Sequence, residues 1–144
     1  MTVNLLDVKA CSQGLCGGAT KVTKGLKNGL RNIPRLAGQR APLTQAGCVR
    51  ILSNPAFSRN AVTPQQALKL LSVNLNHPSH LFWPDDVSFA EAVEPIQKQM
   101  VGHQQVSDAY LLGLAMHRKA RLATMDRSVS ALLPREKQAA VVVL

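Results

Sequence analysis

Three aspartates carry the chemistry that this sequence offers. Asp7 follows the apolar run Val3-Asn4-Leu5-Leu6, Asp126 follows Arg121-Leu122-Ala123-Thr124-Met125, and Asp108 stands at the start of an apolar helical segment. The two runs read as short buried strands. Both carboxylates then fall at carboxyl ends of strands, which in an open parallel sheet share the edge where ligands bind. A carboxylate in the first turn of a helix is favoured by the helix dipole. Three carboxylates that converge cannot all stay ionised at close range without a counter-charge, so one takes up a proton or a divalent cation binds. Oxygen donors with no thiolate among them suit Mg²⁺ or Mn²⁺ rather than zinc. Such an ion can activate a water and hold a phosphate for in-line attack. The alternative is structural: an aspartate after a strand makes a turn, and one in a first helical turn stabilises the helix. Spacing alone leaves both open.

The elements that must position these residues are legible from residue 42 onward. Thr44 predicts a helix cap, with the helix running to about residue 52 and stopped by Asn54-Pro55. Thr63-Pro64 opens a second helix with Ala67, Leu68, Leu71 and Leu75 as its apolar spacing. His80-Leu81-Phe82-Trp83 reads as a strand ended by Pro84, with Phe82 and Trp83 in the core and Asp85-Asp86 opening a turn. Ser88 with Glu91 forms a capping-box pattern, and Ser107 is read as the cap of the helix that carries Asp108. That helix, apolar on most faces through residues 110–116, reads as buried. A strand over residues 121–125, a short helix over 128–133 and a final strand over 139–144 complete the path. Strands separated by helices predict an α/β fold with a largely parallel sheet in one domain spanning residues 1–144.

Charge is distributed unevenly. The chain has 144 residues, 17 Lys and Arg, 8 Asp and Glu, and a formal charge of +9. Seven basic residues, Lys9, Lys21, Lys24, Lys27, Arg31, Arg35 and Arg40, lie within residues 8–40, with no acidic residue and six of the nine glycines. The remainder is nearly balanced at +2. Segment 8–40 has neither a helical nor a strand period and reads as atypical or poorly ordered. It offers phosphate contacts but no aromatic residue for base stacking. Gly14, Gly17 and Gly18 lack the Lys-Ser/Thr ending of a phosphate loop. Cys11, Cys16, His77 and His80 have loose spacing for a zinc site and read as unpaired thiols and separate histidines. A triad of His103, Ser107 and Asp108 competes with the reading of Ser107 as a cap. The odd cysteine count, with neither a secretory pattern nor an apolar run near the roughly 20 residues of a membrane span, predicts a reduced cytoplasmic setting.

The order of five motifs resembles a PIN-domain ribonuclease of the VapC toxin type. They are Leu5-Leu6-Asp7-Val8; Leu43-Thr44-Gln45-Ala46-Gly47 followed by Val49-Arg50-Ile51; His80-Leu81-Phe82-Trp83-Pro84-Asp85-Asp86; Gly102-His103-Gln104-Gln105-Val106-Ser107-Asp108-Ala109-Tyr110-Leu111; and Leu122-Ala123-Thr124-Met125-Asp126. The resemblance spans residues 1–8 and about 41–144. It implies a PIN-like α/β/α sandwich and a toxin-type endoribonuclease that hydrolyses RNA with Mg²⁺ or Mn²⁺. Asp7 and Asp108 would be metal ligands, Asp126 a ligand directly or through water, and Thr124 a hydrogen-bonding group within the cluster. It also implies a cytoplasmic toxin, usually dimeric, paired with a cognate antitoxin.

Two departures qualify the resemblance. Many PIN domains place a Glu where this chain has Gln45, which keeps an oxygen donor and loses the charge. Between residues 8 and 40 the family pattern of two helices is absent, and it resumes near Arg40-Ala41-Pro42. Two compensating frame changes in the coding sequence would leave that pattern. The competing functional class is a catalytically impaired PIN-like protein that binds RNA or an antitoxin without cleavage. A small basic nucleic-acid-binding protein is the third.

Overall fold

The computed structural model describes residues 4–7, 38–57, 59–76 and 80–144. Most of segment 8–40, with Cys11, Cys16 and the glycines at 14–29, lies outside the described residues, as does His77. The predicted disorder and the frame-change reading of that segment therefore fall outside them too.

Five short strands form one sheet in the order β3-β2-β1-β4-β5: β1 Asn4–Leu6, β2 Gly38–Arg40, β3 Leu81–Phe82, β4 Arg121–Thr124 and β5 Val141–Val143. All four pairings are parallel, with Leu5 opposite both Gln39 and Leu122. The helices are α1 Pro42–Leu52, α2 Pro64–Leu75, α3 Phe89–Val93 and α4 Val106–His117. This is the α/β, PIN-like fold that the sequence predicts. Residues 38–40, assigned on sequence to the atypical segment, instead form β2 beside the central strand.

The main core lies where α4 meets the sheet. Every residue from 109 to 115 of α4 is buried, against Leu5 and Leu122 of the strands and Val129 and Leu132 beyond β4. A helix apolar all round can be stable only when enclosed in this way. Helix α3 approaches α4 through Gly113. A Cβ there would lie 2.0 Å from the Ala92 carbonyl oxygen, so no larger residue fits without separating the helices. Residues on opposite sides of a strand alternate, and the opposite sheet face carries Leu6 and Ala123 with Met125 and Leu144 packed on them.

Helix α4 ends in a Schellman arrangement. The Ala120 N–H donates to the Ala115 carbonyl at 2.8 Å and the Lys119 N–H to Met116 at 3.0 Å. Lys119 takes φ 54°, the left-handed region usually given to glycine. The turn feeds β4 at its amino end, so the first turn of α4 points toward the carboxyl edge of the sheet.

Several local expectations are corrected. Helix α1 starts at Pro42 behind Ala41 with no side-chain cap, so Thr44 is inside the helix rather than its cap. Helix α4 starts at Val106, which places Ser107 within the helix; Gln105 flanks it and accepts from the Val101 and Gly102 N–H groups at 2.7 and 3.2 Å. Leu68 and Phe82 are exposed rather than core, at 55% and 53%, while Trp83 is buried. The final strand is only Val141–Val143, because Arg135–Ala140 forms a 3-10 turn. Other predicted caps are present. Thr63 and Gln66 exchange side-chain and backbone bonds before α2, and Ser88 accepts from the Glu91 N–H before α3.

Candidate active site

Asp7 comes directly after β1 and is 2% exposed. Its N–H donates to the Ala123 carbonyl at 3.0 Å, extending the β1–β4 ladder by one bond. The Thr124 hydroxyl at the end of β4, itself fully buried, donates to Asp7 Oδ2. The same hydroxyl oxygen accepts the Asp126 N–H at 2.9 Å. One threonine therefore joins the Asp7 carboxylate to the Asp126 backbone, using its single proton on the first and a lone pair on the second.

Asp126 is half-buried and caps the 3-10 turn Arg127–Leu132, where its Oδ1 accepts the Ser128 N–H at 2.9 Å and the Ser128 hydroxyl at 2.7 Å. The turn-making role weighed against its chemical one on sequence is thus real for this residue. Asp108 is half-buried in the first turn of α4, and α4 packs against both β1 and β4. Among the described residues, no group of three or more His, Cys, Asp or Glu side chains is assembled that could hold a metal ion. Asp7 and Asp126 are tied together through Thr124, while Asp108 stands in the first turn of α4. Cys48 is buried in a separate cluster with Leu71.

Helix α1 borders the same region. The Thr44 hydroxyl donates across 38 residues to the Leu6 carbonyl at 3.0 Å. Gln45, at the position where a PIN domain often has Glu, reaches the Arg40 carbonyl with its amide at 3.5 Å. Arg40 is itself buried, with Nη1 3.1 Å from His80 Nδ1. His80 thus links to the end of β2; the other residues weighed for a zinc site, Cys11, Cys16 and His77, lie outside the described residues. His103 is exposed in the turn that precedes α4.

Behind the first turns of α1 and α4 lies the 83–88 loop. Burial pushes the Asp85 carboxyl up from its ordinary value, and Asp86 adds to this; hydrogen bonds from the Leu43 N–H and the Tyr110 hydroxyl oppose the rise. Asp85 thereby supplies the anion that the first turn of α1 lacks in its own sequence. Asp86 is held below the ordinary carboxylate range by its hydrogen bond with Arg118, at 2.5 Å. The Arg118 guanidinium also stacks over Trp83, 5.2 Å from the ring centre. The sequence predicted only a turn at Asp85-Asp86; the link to Arg118 spans 32 residues and leaves no local pattern.

Known ribonucleases share sequence with this chain. Ribonuclease VapC39 of Mycobacterium tuberculosis (strain H37Rv) is 34% identical over 89 residues, which is 62% of this chain and 64% of the relative. Ribonuclease VapC38 of the same strain is 40% identical over 88 residues, 61% of this chain and 60% of its own. Ribonuclease VapC29 is 38% identical over 93 residues, 62% and 61%. This chain is similar in sequence to VapC ribonucleases. It spans about three-fifths of the length of the curated relatives it matches. No family model matches it. This similarity is in line with the resemblance read from the sequence, over a shorter stretch than the motifs had suggested. Among the described residues, no helix is long and apolar enough to cross a membrane.

Proposed function

We propose that this chain is a toxin-type endoribonuclease that hydrolyses RNA phosphodiester bonds with a divalent metal, Mg²⁺ or Mn²⁺. The observation that carries the reading is the Asp7–Thr124–Asp126 chain of hydrogen bonds at the carboxyl edge of a parallel sheet, in a chain similar in sequence to VapC ribonucleases. The donor types fit such an ion, because all are hard oxygens. Mg²⁺ is commonly held by one or two carboxylates with water and substrate phosphates, so a protein group of three is not a requirement. Asp7 and Asp108 would hold it, with Asp126 contributing directly or through water. The bound ion would lower the pKa of a water and offset charge on the phosphate. Thr124 keeps the Asp7 carboxylate oriented, and the buried setting of Asp7 strengthens its attraction for a cation. A cognate antitoxin, a homodimer and a cytoplasmic setting belong to the same proposal.

A second reading is favoured by one observation, the lack of a three-ligand group among the described residues. It is a PIN-like protein that binds RNA or an antitoxin without cutting. Mn²⁺ titration of the purified chain, with RNA cleavage measured beside it and again in EDTA, separates the two. The endoribonuclease reading expects saturable Mn²⁺ binding and EDTA-sensitive cleavage. RNA binding with no cleavage at saturating metal would instead support the impaired protein.

A further inference from the structure

We propose that Thr44 is a positioning residue for the acidic site, its hydroxyl setting the peptide plane from which Asp7 departs. The inference deepens the reading above and rests on it for its catalytic consequence. The Leu6 carbonyl and the Asp7 N–H belong to one planar peptide group. The N–H is bonded to β4, at the Ala123 carbonyl, 3.0 Å away. The carbonyl points the opposite way, toward β2, but the β1–β2 pairing ends at Leu5 opposite Gln39. The chain then turns through Ala41 into α1, whose first residue, Pro42, has no N–H to give. The Thr44 hydroxyl fills the vacant donor position at 3.0 Å.

Its hydroxyl is therefore not spent on its own helix, where threonine usually bonds back to an earlier carbonyl. The group is fully buried, so water does not substitute for it. The Leu6–Asp7 peptide is thus clamped from both sides, by β4 and by α1, and Thr124 holds the far end of the Asp7 side chain. Three contacts from two elements, β4 and α1, define one carboxylate. Loss of the Thr44 contact releases the peptide plane and lets Asp7 tilt, and small misplacements of a reacting constellation are costly.

The test compares the full-length wild type with Thr44→Ser, Thr44→Val and Thr44→Ala. Two quantities are read: deuterium exchange of the Asp7 amide by NMR, and kcat and KM for Mg²⁺-dependent RNA cleavage. Thr44→Ser is expected to match the wild type in both. Thr44→Val and Thr44→Ala should speed Asp7 exchange while the Leu111 and Leu112 amides keep their rates, and should lower kcat by about 10²-fold with KM nearly unchanged. Should the valine variant not fold, the Ser and Ala pair makes the same comparison. Wild-type Asp7 exchange or wild-type kcat in a folded variant lacking the hydroxyl overturns the proposal, as does a serine variant as impaired as valine. If the wild type itself cleaves no RNA, the functional reading fails, and Asp7 exchange still decides whether Thr44 sets the peptide.

Discussion

Helices α3 and α4 meet through a glycine, whereas α1 and α2 meet through a cysteine and a leucine. At the first pair the backbone of Ala92 lies where a side chain at position 113 would be, and the surrounding core is continuous with the sheet. At the second pair, the apolar side chains enclosed are Cys48, Ala67 and Leu71, with Val49, Leu52 and Leu75 partly so, while Leu68, Leu70 and Val73 face outward. Bulk apolar packing thus concentrates on the side that carries Asp108. The α1 side reaches the site through one specific hydrogen bond, from Thr44. The difference predicts that changes near α4 act on stability, and changes near the start of α1 act on site geometry.

The largest effects should come from Gly113→Ala and Leu114→Ala, both on the α3–α4 side. A methyl at position 113 would overlap the Ala92 carbonyl, so the loss should reach or exceed the about 1–3 kcal/mol of ordinary overpacking. Urea unfolding checks this against Gly102→Ala, where a Cβ meets nothing within 4 Å. Equal stability of the two variants would remove the close α3–α4 contact from the account. Leu114→Ala should cost in the upper part of the about 2–5 kcal/mol range for core leucines, and Leu71→Ala at or below its lower end, where neighbours can relax. Equal losses would contradict the contrast between the helix pairs.

Smaller effects sharpen the α4 end. Lys119→Gly should raise stability by about 0.5–1 kcal/mol, because glycine adopts φ 54° without a Cβ clash although it is more flexible unfolded. A thermal scan showing destabilisation would mean that the lysine side chain, rather than the turn, matters there. The smallest effect concerns Asp86. Its pKa is lowered in the fold by Arg118, so its contribution is present above the unfolded value near about 4 and is lost as pH falls through the folded value. Asp86→Asn should therefore be less stable than the wild type at neutral pH and equal to it in acid. Asp85 has the opposite sign, since burial raises its pKa and its ionised form is the disfavoured one. A stability gap at Asp86 that widened in acid would rule out the Arg118 pairing as its cause.

The residues that the sequence exposed most clearly were those whose surroundings are local. Asp7 after an apolar run, the Thr63-Pro64 and Ser88 caps and the apolar α4 all follow from neighbours within a few positions, and the structure places them accordingly. Thr44 was misread as a cap because a threonine near a helix start usually is one; its partner is 38 residues away and invisible to local pattern. The sequence places Phe82 in the core with Trp83, yet β3 is an edge strand of two residues and only Trp83 turns inward. The left-handed turn at Lys119 had no glycine to announce it. For the candidate site, the strand-end positions of Asp7 and Asp126 and the turn-making role of Asp126 were legible, whereas its partner, Ser128, needed coordinates to be seen.

The central claim is that aspartates at this sheet edge support metal-dependent RNA cleavage. Its most direct test is the initial cleavage rate in Mg²⁺ for the wild type beside Asp7→Asn, Asp108→Asn and Asp126→Asn, each confirmed as folded. The account predicts loss of cleavage in the first two and a smaller loss in Asp126→Asn, whose carboxylate also caps a turn. Cleavage that persists in all three variants, or that is indifferent to EDTA, would contradict it.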